Sequence, residues 1–105
     1  MILHKDNGKP YTLAGTTPYV YNLALTTQNT EYSQALPARC KRFVIQCRDS
    51  TDIKLSFTAL ESGTKYLTVK AGSAYSEDML DPEDVITLYV QCASNTKVAE
   101  IVAFS

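Results

Sequence analysis

One histidine, three cysteines, an acidic run and a basic cluster are the groups in this chain whose chemistry could amount to a site. A Ser–His–Asp or Cys–His centre needs a base held rigidly beside its nucleophile. His4 sits in an N-terminal stretch with no pattern that would hold it, so it is expected to be solvated, and no catalytic residue is assigned. Cys40, Cys47 and Cys92 with His4 have the composition of a Cys3His zinc site. Zinc knuckles, however, bring two ligands together within a few residues of one turn. Cys40 and Cys47 read instead as members of a single strand, on opposite faces and about 23 Å apart. They are expected neither to bridge nor to share a metal. Cys47 and Cys92 fall on apolar faces and read as small core hydrophobes. Reduced thiols, no metal and no cofactor are the expectation.

The acidic run Glu77, Asp78, Asp81, Glu83 and Asp84 lacks the Asp-x-Asp-x-Asp-Gly spacing of a calcium loop and reads as a solvated loop. Opposed to it are Arg39, Lys41, Arg42 and Arg48. With so little aromatic interleaving these bases are weak as a nucleic-acid footprint. Opposite patches on a near-neutral chain suit contact with copies of itself or with an assembly. The chain has seven tyrosines and no tryptophan. Tyr11, Tyr19 and Tyr21 lie in or near the N-terminal stretch, and exposed tyrosine is enriched at interfaces. For Tyr19 and Tyr21, ordinary strand packing is the competing reading. The four glycines form no phosphate-binding loop.

These groups must be carried by strands. The stretch Arg39 to Thr58 is the centre of the pattern: Phe43, Ile45 and Cys47 alternate with polar residues, and so do Ile53, Leu55 and Phe57. Alternation of this kind builds one apolar and one wet face. The polar residues Arg48 to Asp52 between the two runs suit a hairpin turn. Residues 1–18, punctuated by Asn7-Gly8, Lys9-Pro10, Ala14-Gly15 and Thr17-Pro18, read as an extended arm or series of turns. Further strands are expected over 19–27, 31–36, 65–70, 85–92 and 97–104. In the last, Val98, Val102 and Phe104 oppose Ala99, Ile101 and Ala103, so both faces should be covered. Asp81-Pro82-Glu83-Asp84 allows a single helical turn at most. About seven strands with turns every 8–12 residues predict one all-β domain over 19–105, an antiparallel β-sandwich or a barrel. Phe43, Ile45, Ile53, Leu55, Phe57, Leu67, Ile86, Leu88, Val90 and Ile101 are the expected core.

A chain of 105 residues is large enough to bury such a core, and its 45% hydrophobic and 20% charged content is ordinary for a globular domain. A net charge of −1 gives no field to gather nucleic acid or an anionic membrane. No apolar run approaches the roughly 20 residues of a membrane helix. Polar residues interrupt Met1-Ile2-Leu3-His4-Lys5-Asp6 before a signal peptide's apolar region forms, so the expectation is a soluble protein made in the cytoplasm and not secreted.

A longer cadence runs through the sequence. It includes Leu36-Pro37-Ala38, Lys41 to Arg48, Asp52-Ile53-Lys54-Leu55, Tyr66-Leu67-Thr68-Val69-Lys70-Ala71-Gly72, Thr87-Leu88-Tyr89-Val90 and Val98-Ala99-Glu100-Ile101-Val102. Over about two-thirds of the chain this resembles small virion proteins of tailed bacteriophages, especially capsid decoration or cement proteins with a jelly-roll-like β-sandwich. Similar sandwiches occur in phage tail, neck and fibre-attachment proteins. The resemblance implies a multi-copy structural protein of the virion, not an enzyme. Its expected partners are the major capsid protein or other virion subunits, bound by shape. Ile2, Leu3, Tyr11, Leu13, Tyr19, Tyr21, Arg39, Lys41 and Arg42 are the expected interface residues. A carbohydrate- or receptor-binding module is the rival reading, weakened by the absence of tryptophan.

Overall fold

The alternating runs do become strands. The computed structural model describes residues 5–6, 9–10 and 17–105, and among these residues the protein is all-β with no helix. A small ribbon comes first, β1 (Lys5–Asp6) paired antiparallel with β2 (Lys9–Pro10).

Eight further strands form two antiparallel four-stranded sheets. They are β3 (Pro18–Leu25), β4 (Tyr32–Ala35), β5 (Arg42–Cys47), β6 (Ile53–Ser56), β7 (Leu67–Val69), β8 (Ala74–Glu77), β9 (Thr87–Cys92) and β10 (Lys97–Phe104). The first sheet has the order β3-β10-β5-β8 and the second β4-β9-β6-β7. Of these eight, only β6 and β7 are neighbours both in sequence and in a sheet; every other connection from β3 onward crosses between the sheets.

One expected pairing is therefore overturned. Arg39 to Thr58 is not a hairpin: β5 pairs with β10 and β8, whereas β6 pairs with β9 and β7. The polar segment from Arg48 to Asp52 carries the chain from one sheet to the other. Alternation fixes which face a strand buries but not which strand lies beside it, and both arrangements bury the same side chains. The other departures are local. β8 is an eighth sheet strand that begins ahead of the acidic run, with Tyr75 its one partly buried residue. Asp81-Pro82-Glu83-Asp84 forms no helical turn, within the single turn at most expected there, and the chain bends at Glu83 and Asp84. Cys40 is itself buried, but it lies ahead of β5 and is not on the strand with Cys47.

The sheets share one buried cluster in a sandwich-like arrangement. The first sheet contributes Leu25, Phe43, Ile45, Ala99, Ile101 and Ala103, and the second Ile53, Leu55, Val69, Leu88, Val90 and Cys92. Leu36 and Cys40 close the cluster from the connection between β4 and β5. Fully burying a Leu, Ile or Phe side chain contributes about 1.5–3 kcal/mol, so this cluster dominates the favourable side of folding. Seven of the expected core residues are in it. Ile86 is only half-buried, and Phe57 and Leu67 are 49% and 41% exposed. β6 ends one residue before Phe57, where the buried Ser56 hydroxyl accepts a hydrogen bond from the Thr58 amide at 3.1 Å and turns the chain. Leu67 has the phase expected of it, opposite Leu55, but it starts an edge strand and has no neighbour on its far side among the described residues.

Candidate interaction surfaces

Alternation that sends Phe43, Ile45, Ile101 and Ala103 inward must send their neighbours out. On the outer face of the first sheet the register aligns three rows across the strands. Pro18, Phe104 and Arg42 form one, Val20, Val102, Val44 and Ser76 the second, and Asn22, Glu100, Gln46 and Ala74 the third. The middle row is an apolar stripe on a face that no other described element covers. Val20 is 71% exposed, and Val44 and Val102 are half-buried. With the polar row beside it the stripe borders a depression of about 300 Å3.

The polar row is ordered. The Glu100 carboxylate accepts hydrogen bonds from Arg48 Nε at 2.8 Å and Gln46 Nε2 at 3.0 Å, while Arg48 Nη2 donates to Asn22 Oδ1 at 3.1 Å. The bonds from Arg48 and then Gln46 hold the Glu100 carboxyl below its ordinary range, so it stays ionised. On the other side of the valines the Arg42 guanidinium lies 4.7 Å from the centre of the Phe104 ring. An apolar stripe rimmed by fixed polar groups is the anatomy of a protein-binding patch.

The expected interface residues do not gather into one site. Arg42 stands beside the valine row, but Lys41 turns away to Asp81 at 3.4 Å, and Arg39 occupies an exposed left-handed turn with φ 59°. The basic cluster is dispersed because neighbouring residues in an extended chain point apart. Tyr21 packs against the core, as the strand-packing reading had it, and Tyr19 is 41% exposed at the start of β3. Ile2, Leu3, His4, Tyr11 and Leu13 lie outside the described residues. Sequence reasoning missed the valine row as a surface, although a signal for it existed in the doubly apolar β10.

A second surface lies along the β6–β7 connection, residues 57–66. Leu55, Phe57, Tyr66 and Leu67, with Ser56, Thr58, Glu61 and Lys65, line a depression of about 500 Å3. Lys54 Nζ sits 4.7 Å from the centre of the Tyr66 ring. The segment is pinned from Glu31, whose carboxylate accepts hydrogen bonds from the Leu60 amide at 2.7 Å, the Ser62 amide at 3.1 Å and the Ser62 hydroxyl. Gly63 sits against the Gln91 side chain, where a Cβ would come within 2.8 Å of Nε2.

No clustered metal ligands occur among the described residues. Cys40 Sγ donates to the Arg42 carbonyl at 3.3 Å and burial raises its pKa, so this thiol is held protonated. Cys92 Sγ donates to the Asp52 carbonyl at 3.5 Å. Among the described residues no helix is long and apolar enough to cross a membrane. No protein family, curated protein or solved structure was found to match the chain.

Proposed function

We propose that the protein is a structural component of a tailed-bacteriophage virion, a capsid decoration or cement protein that binds the shell through protein–protein contacts. It would be made in the host cytoplasm and act in many copies, with the major capsid protein or another virion subunit as its partner. The observation that carries the reading is the Val20–Val102–Val44 row, an apolar stripe left uncovered on a small domain and rimmed by ordered charges. The strand orders support it. Eight strands dealt between two antiparallel sheets as β3-β10-β5-β8 and β4-β9-β6-β7 support a jelly-roll-like reading of the sandwich, an architecture used by viral capsid and lectin domains. The resemblance of the Leu36–Val102 stretch to phage virion proteins supplies the biological setting. Many weak contacts on a closed shell multiply, so each needs to clear only about 1,000 Å2.

The test is to add the protein to particles that lack it. A Val44→Asp variant should keep the wild-type melting transition, because Val44 points outward, and should lose at least about tenfold in occupancy, the equivalent of about 1.4 kcal/mol. Deleting residues 2–17 should also lower occupancy and the heat resistance conferred. If both variants bind and protect as the full chain does, the decoration reading fails. Electron microscopy of the parent particle separates a shell position from a tail, neck or fibre-attachment one.

The rival reading, a carbohydrate- or receptor-binding module, is favoured by the Phe57–Tyr66 depression, where exposed rings stand beside hydroxyl and charged groups. Glycan binding abolished by Tyr66→Ala with unchanged particle binding would select it.

A further inference from the structure

The four sheet edges are not equivalent. β4, β7 and β8 have four, three and four residues, whereas β3 has eight. Natural sheets shield an edge by keeping it short or by placing charges or proline on it. β8 ends on Glu77, and Lys70 follows β7. β3 reads Pro-Tyr-Val-Tyr-Asn-Leu-Ala-Leu, with its one proline at the first position and no charge. The neutrality extends further: from Pro10 to Thr30 there is no Asp, Glu, Lys or Arg in a chain that is 20% charged. All eight residues of β3 pair with β10 on one side, and no described strand pairs with the other.

We infer that the outer edge of β3 is a self-association surface, on which the β3 strand of a second copy pairs antiparallel about a two-fold axis. A neutral edge offers no charge complementarity to an unlike partner, but it imposes no like-charge penalty on a copy of itself. A register centred on Tyr21 sets Tyr21 against Tyr21, Tyr19 against Leu23 and Val20 against Asn22. Aromatic and aliphatic cross-strand pairs of this kind are favourable. The same operation satisfies the unpaired backbone groups of both edges. It gives Val20, the most exposed of the three valines, a neighbour. Being two-fold, the contact consumes both edges and closes as a dimer instead of growing into a fibre.

Sedimentation equilibrium on the full chain tests this separately from particle binding. The wild type should show a mass twice the 11.6 kDa of one chain. Val20→Lys/Ala24→Lys puts charges on two exposed outward positions of β3 and should sediment as a monomer with its melting transition retained. Thr68→Lys, on the β7 edge, should remain dimeric. Should the double variant fail to fold, hydrogen exchange on the wild type decides: β3 amide protection should rise with protein concentration while that of β7 does not. A wild type that stays monomeric at its highest soluble concentration, an open-ended series of larger species, or a double-lysine variant that still dimerises would each overturn the inference.

Discussion

Replacing Leu88 by alanine should cost about 2–5 kcal/mol, the transfer energy of the lost methyls plus the cavity left behind. Leu88 is wholly buried on β9, the strand between β4 and β6, so neighbours on both sides limit how far the site can collapse. Phe57→Ala should cost roughly 1 kcal/mol despite removing a larger side chain, because half of the ring is already in water. What it loses is mainly the edge-to-face contact with Phe43 at 6.2 Å, worth about 0.5–1.5 kcal/mol. Urea unfolding of the two variants checks the contrast. Equal losses would mean that the chain does not turn at Ser56 and that β6 runs on to bury Phe57.

That contrast also marks how far the fold could be read from residues alone. The two-residue period located β10 at its observed bounds and gave the inward phase of Phe43, Ile45, Ile53, Leu55, Leu88, Val90 and Ile101. It failed where the strand ended early, since nothing about Phe57 differs from Leu55 except the turn that Ser56 initiates. It failed for β8, where one partly buried tyrosine among small and polar residues carries almost no period. It could not pair β5 with β10 in place of β6, because pairing across more than fifty residues depends on how two complete sheets cover each other. The candidate site was legible in a similar way. Val98, Val102 and Phe104 announced a second apolar face on β10, but that this face lies outward and joins Val20 and Val44 is a matter of register. Charges were the least readable. Lys41, Arg42 and Arg48 lie close in sequence, yet they go to Asp81, Phe104 and Glu100.

The segment over the β6–β7 connection should depend on one carboxylate. Glu31 receives three hydrogen bonds from the turn at Leu60 and Ser62, and Ser62 is 1% exposed. Glu31→Ala leaves the Ser62 amide and hydroxyl buried without that acceptor, and should cost about 1–3 kcal/mol. Leu60 adds to the dependence: its φ of 66° is uncommon for a leucine, and its side chain is 87% exposed, so little packing holds the turn. The effect should also depend on pH. Burial pushes the Glu31 pKa up, but the bonds from the Ser62 hydroxyl and the Leu60 and Ser62 amides outweigh it and leave the pKa lowered. A carboxyl whose folded pKa lies below its unfolded value, about 4.3 for glutamate, stabilises the fold above that value. The contribution fades as the pH falls through the folded pKa. The stability gap between wild type and Glu31→Ala should therefore be largest at neutral pH and shrink on acidification. Glu31→Gln, which keeps an acceptor without the charge, should fall between them and lack the acid slope at this site. Hydrogen exchange at the Leu60 and Ser62 amides gives the local measure, faster in Glu31→Ala while the β9 amides are unchanged. A gap that stays constant from neutral pH to below the glutamate range would show that Glu31 holds the turn by shape, not by charge.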